Sequence, residues 1–163
     1  MNEIDKLNPE DWVRVNRLKT PEECEQFAKN VGQTHPHLAL AARRRAVALR
    51  ADGHNPASPV LRDIWEAVYA YEEVLFQEHG RRLRAGHTRR SITARGELNA
   101  IEEIVKRRSV TDGFHRMRNA GLFDKTFEAV VLRHPLDFSQ AAIESATMKL
   151  NQWESGLDAS SGS

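Results

Sequence analysis

An all-α fold is the reading that three properties of the chain share. Apolar residues recur at intervals of three and four rather than two. No Asn-Gly or Asp-Gly hairpin turn separates β-branched runs. Helix-start residues such as Thr20-Pro21-Glu22-Glu23 stand directly before apolar stripes. The expected architecture is a helical bundle of about six to seven helices with an N-terminal helical hairpin and a long central helix.

Taken in order, Trp12-Val13-Arg14-Val15 and Leu18 are apolar before any clear helix start, and are expected to form a short docking segment for a protein partner. Thr20 supplies a capping hydroxyl, Pro21 suits the first helical position, and Glu22 and Glu23 favour the positive end of the dipole. Cys24, Phe27, Ala28 and Val31 form the stripe of that helix, and Gly32 ends it. A second helix follows His35-Pro36 and runs to about Asp52-Gly53, with Leu38, Ala42, Ala46 and Leu49 on one side, which completes an antiparallel hairpin. The hairpin has the size of one tetratricopeptide unit, but a single unit does not make a stacked array.

Two prolines within His54-Asn55-Pro56-Ala57-Ser58-Pro59 make the strongest break in the chain. Beyond it, Leu61, Ile64, Val68, Tyr71 and Leu75 form a coiled-coil-like seam on a helix from Val60 to about His79, with Trp65 and Tyr69 widening it. Gly80 stops this helix. The Arg-rich stretch 81–96 is expected to be mostly loop, with a short helix around Thr88 to Ala94. Leu98, Ile101, Ile104 and Val105 mark a helix ending in Lys106-Arg107-Arg108. Ser109 to Asp112 has capping-box spacing before a short helix bearing Phe114 and Met117, closed by Gly121. A helix with Phe127, Val130 and Val131 ends before Pro135, and a last one, capped by Ser139, aligns Ile143, Ala146, Leu150 and Trp153. The organisation expected is residues 1–53 as N-terminal segment and hairpin, 60–155 as the main bundle, and 156–163 as a disordered polar tail.

Charge is distributed unevenly. Residues 81–118 hold eleven cations against four acids, a local +7 in a chain whose net charge is +1. Six of the eleven, Arg81, Arg82, Arg84, Arg89, Arg90 and Arg95, fall within fifteen residues, and all are arginine. Guanidinium groups pair bidentately with phosphate oxygens and keep their charge, so nucleic acid, DNA more than RNA, is the expected partner. The competing expectation ties these arginines to the core-helix carboxylates Glu72, Glu73 and Glu78. A helix-turn-helix over residues 97–119 would add His115, Arg116, Arg118 and Asn119 as a second contact set, since Arg and Asn read guanine and adenine edges. A third version makes Gly80 to Gly96 an arm that orders on a polyanion.

Other chemistry finds little footing. Cys24 is the one cysteine, so it has no intrachain partner and no Cys-based metal cluster, and a small buried hydrophobe is its expected role. The seven histidines include no His-x-x-x-His pair, so no metal and no cofactor is expected. Adjacent acids at Glu22-Glu23, Glu72-Glu73 and Glu102-Glu103 diverge by ~100° around a helix and do not share a substrate. Asp137, Glu144 and Lys149 lie on a helical pattern rather than on the strands a nuclease centre uses. Trp12 or Phe123 is the candidate for base stacking. Acids early in the chain and the lack of a long apolar run predict a cytoplasmic protein without membrane spans.

Residues 70–135 bear a general resemblance to bacterial helical proteins, carried by Ala70-Tyr71-Glu72 and Phe127-Glu128-Ala129-Val130-Val131-Leu132-Arg133. The resemblance implies a helical unit and transfers no functional residue. The expectation is therefore a non-catalytic helical module that engages nucleic acid mainly through phosphate contacts. The alternative is a protein-interaction or homo-oligomerisation module whose basic segment meets an acidic surface.

Overall fold

Proline opens four of the helices, and three of these are capped by a polar side chain just before it. The computed structural model describes residues 6–107 and 112–160, and for Asp112 and residues 153–160 it describes the backbone alone. The elements are α1 (Pro9–Asn16), α2 (Pro21–Val31), α3 (Pro36–Asp52), α4 (Pro59–His79), α5 (Gly86–Arg95), α6 (Glu97–Lys106), α7 (Asp112–Asn119), a 3-10 turn (Phe123–Lys125), α8 (Phe127–Arg133) and α9 (Gln140–Ser160). No strand occurs among the described residues, and the all-α bundle is the observed fold.

The N-terminal apolar segment forms the helix α1. Asn8 accepts from the Asp11 amide at 2.9 Å, Pro9 occupies the first turn, and Glu10 and Asp11 sit at the positive end of the dipole. Val15 is sealed against Leu38 and Ala41 of α3, while Trp12 and Val13 face outward. At α2 the Thr20 hydroxyl accepts from the Glu23 amide at 3.1 Å, and the Glu23 carboxylate accepts from the Thr20 amide, which makes a reciprocal capping box.

Small residues bring α2 and α3 together: Cys24, Ala28, Ala39 and Ala42 are all buried in this hairpin. Burial also pushes the Cys24 thiol above its ordinary pKa, with Arg45 and Arg50 offsetting part of the rise. The other side of α3 lies on α4, where Val47 joins Ala70, Val74, Met117 and Leu122 in one cluster. Across α4, the seam residues Ile64 and Val68 meet Ile101, Val105, Val130, Val131 and Ala146. Helix α4 is thus covered on both sides by the chain itself, and its seam is internal. Gly80 closes it at φ 71°, a left-handed turn that glycine enters without steric penalty.

The Arg-rich stretch is more helical than expected. Helix α5 begins at Gly86, buries Ile92, and turns through Gly96 at φ 83° directly into α6. Ser139 caps α9 by accepting from the Ala142 amide at 3.2 Å, and its own amide donates to Glu102 at 2.8 Å. Helix α9 continues to Ser160, and residues 161–163 lie outside the described residues. So do Arg108 and Ser109 to Thr111 of the expected capping box, and the side chains of Asp112 and Trp153.

One cation is folded into the interior. Lys149 is 2% exposed, and its ammonium donates to the Val105 carbonyl at 2.7 Å, close to the C-terminus of α6, with Glu128 at 3.5 Å. Ser145 donates to the same carbonyl at 2.7 Å. Together these α9 side chains satisfy an acceptor left over where α6 ends. No described helix is long and apolar enough to cross a membrane.

Candidate nucleic-acid interface

The arginines of residues 81–95 divide into two groups according to whether they reach a carboxylate of the fold. Arg89 faces α4. Its Nη2 lies 2.7 and 3.0 Å from the two Glu72 oxygens and its Nε lies 3.1 and 3.2 Å from them. The guanidinium also lies over the Trp65 and Tyr69 rings, 5.5 and 5.3 Å from their centroids. Burial lowers the Arg89 pKa, but the hydrogen bonds that Arg89 donates to Glu72 and Tyr69 more than offset it. This arginine is consumed by the fold.

Arg82 is held as well. It pairs with Glu25 of α2, lies within 4.0 Å of Glu73 and sits over the Phe76 ring at 4.8 Å. Glu25 receives Arg50 at 2.5 Å too. Arg116 of α7 reaches Glu78 at 3.6 Å, with both side chains 39% exposed. Glu72, Glu73 and Glu78 therefore each have an arginine within ion-pair distance. Lys106 is matched by Glu102 and Glu103 on its own helix.

Arg81, Arg84, Arg90 and Arg95 form the other group. All four are exposed, and none makes an ion pair among the described residues. They flank the two anchored arginines on the short connection and on α5, so Arg82 and Arg89 fix the backbone from which the free ones project. On α7, His115 and Asn119 are exposed and stand one turn apart, while Arg118 is partly covered. Helix α7 lies on α4 and the 3-10 turn, and α6 lies on α4, α5, α8 and α9. The ten expected contact residues thus become four outward arginines, two exposed polar residues on α7, Arg118, and three arginines bonded to acids.

Two clusters went unnoticed in the sequence. His54, from the proline-rich break, stacks on Trp65 at 3.9 Å with an interplanar angle of 12°, and its Nε2 lies 2.5 Å from the Tyr69 hydroxyl. Burial and the neighbouring Arg89 lower its pKa, while Glu97 and Glu72 act in the opposite sense. The second is the Lys149–Glu128 pair, in which burial pushes the Glu128 carboxyl up against the opposing pull of its own backbone amide and Lys149. No sequence spacing signals either one, because the first joins a loop to α4 and the second joins α8 to α9. Among the described residues no group of three His, Cys, Asp or Glu could hold a metal ion. No protein-family model, no curated protein and no solved structure matches this chain.

Proposed function

We propose that the chain is a non-catalytic helical module that binds nucleic acid, DNA in the first instance, through phosphate contacts from Arg81, Arg84, Arg90 and Arg95. The observation that carries this reading is that these four guanidiniums are exposed and without carboxylate partners among the described residues, on a segment that their neighbours Arg82 and Arg89 tie down. A fixed backbone lowers the ordering cost of each phosphate contact. His115 and Asn119 of α7 form the second contact set with Arg118, and Arg116 joins it where a phosphate displaces the half-exposed Glu78.

The test is a titration of a fluorescent duplex between about 50 and 200 mM salt. The four arginines contribute about −3.6 to the slope of log K against log salt, at ~0.9 per phosphate neutralised. The R81A/R90A/R95A variant should make the slope shallower by about 2.7. A flat salt response, or full-strength binding by that variant, refutes the proposal. A stable oligomer that ignores DNA turns the reading to the protein-partner module.

A further inference from the structure

A second feature of the basic segment is concave rather than flat. Helices α4, α6, α7 and α8 and the start of α5 line a half-open cavity of about 300 Å³, at the small end of the range for pockets that take organic ligands. Tyr71, Leu75, Ile104, Phe114, Met117 and Phe127 supply its apolar walls. Arg84, His87 and Arg107 line it as well and are exposed, so they stand where the cavity meets solvent.

The charges around it do not cancel. Lys125 is matched by Glu66 at 2.5 Å, and Glu128 has Lys149 at 3.5 Å. Arg107 is bonded to the ring of His87 at 3.1 Å, and neither Arg107 nor Arg84 makes an ion pair among the described residues. What remains uncompensated is positive and lies at the cavity edge.

We propose that this cavity binds a small amphipathic organic anion, with its carboxylate or phosphate head at the Arg84, His87 and Arg107 edge and its apolar body against Tyr71, Phe114, Met117 and Phe127. A bare anion would gain little from solvated arginines, and an apolar molecule would leave them unused. Only a ligand with both parts uses the whole site. Arg84 is shared with the four arginines assigned to phosphate, but Arg107 lies outside them and a cavity of this volume holds no polynucleotide, so octanoate and DNA binding are separable by the variants below.

Isothermal titration of the full chain with sodium octanoate, 1-octanol and sodium acetate tests it. Octanoate should bind saturably at one site. Octanol should bind about tenfold more weakly, the scale of a charge-assisted hydrogen bond lost from a half-solvated site, and acetate should show no saturation over the same range. In R84A/R107A, octanoate should fall to the octanol level, and R84K/R107K should recover most of the difference. R81A/R90A/R95A should bind octanoate as the unsubstituted chain does, whatever becomes of DNA binding. The proposal is overturned by absence of saturable octanoate binding, by equal affinity for octanol or acetate, or by full octanoate affinity in a folded R84A/R107A protein.

Discussion

Replacing Arg89 by alanine takes away a guanidinium that spans both oxygens of Glu72, a carboxylate whose side chain is only 9% exposed. Removing one partner from a fully buried pair costs about 3–5 kcal/mol, most of it from the charge left behind. Arg89 itself is 22% exposed, so water reaches the site and about 2 kcal/mol is the better figure for the orphaned carboxylate. Loss of the contacts over Trp65 and Tyr69 adds about 0.5 kcal/mol each. The sum, roughly 3 kcal/mol, lowers the melting temperature of a chain this size by about 6–12 °C. Arg90→Ala, one residue on and solvent-facing, should stay within about 0.5 kcal/mol. Thermal melts followed by far-UV circular dichroism compare the two, and an added Glu72→Gln in the Arg89→Ala background should recover part of the loss by discharging the stranded acid. Equal melting temperatures for Arg89→Ala and Arg90→Ala would refute the division of the basic segment into anchored and free arginines.

Two further outcomes follow from buried and stacked groups. Lys149→Met alone should destabilise the chain by about 3 kcal/mol, because Glu128 loses its counter-charge, whereas Lys149→Met with Glu128→Leu should come out near neutral in a denaturant titration. His54 has a folded pKa below its unfolded value of about 6.5, so the unfolded state takes up its proton first and stability contributed at this position is lost as pH falls below that value. Melts from pH 7 to pH 5 should show a shallower decline for His54→Asn than for the unsubstituted chain, and identical profiles would contradict the stacked, neutral imidazole.

The helices that the sequence makes plain are those whose signals are local. Thr20-Pro21-Glu22-Glu23 caps itself, and the seam of α4 repeats within one helix, so both are legible by spacing. Helix α1 is harder to read although Asn8-Pro9-Glu10-Asp11 is a start of the same kind, because its outward Trp12 and Val13 disguise an eight-residue amphipathic helix that buries only Val15. The site divides the same way. Six arginines in a short stretch are obvious as composition, and Glu72, Glu73 and Glu78 are nameable as partners for some of them. Which ones are taken depends on how α5 is rotated on α6, where Ile92 enters the core. The cavity and the Lys149–Glu128 pair depend on helices far apart in the chain, for which no local spacing rule exists.

Arg82 has one further consequence. It joins the connection after α4 to Glu25 of α2 and lies beside Glu73, yet its side chain is 45% exposed, so mobile ions weaken this strap far more than they weaken the enclosed clasp at Arg89. The brine that would strip a polyanion from the outer arginines would also slacken the tether between the leading hairpin and the basic segment, leaving α5 held by its packing on α6, by buried Ile92 and by the Arg89–Glu72 pair.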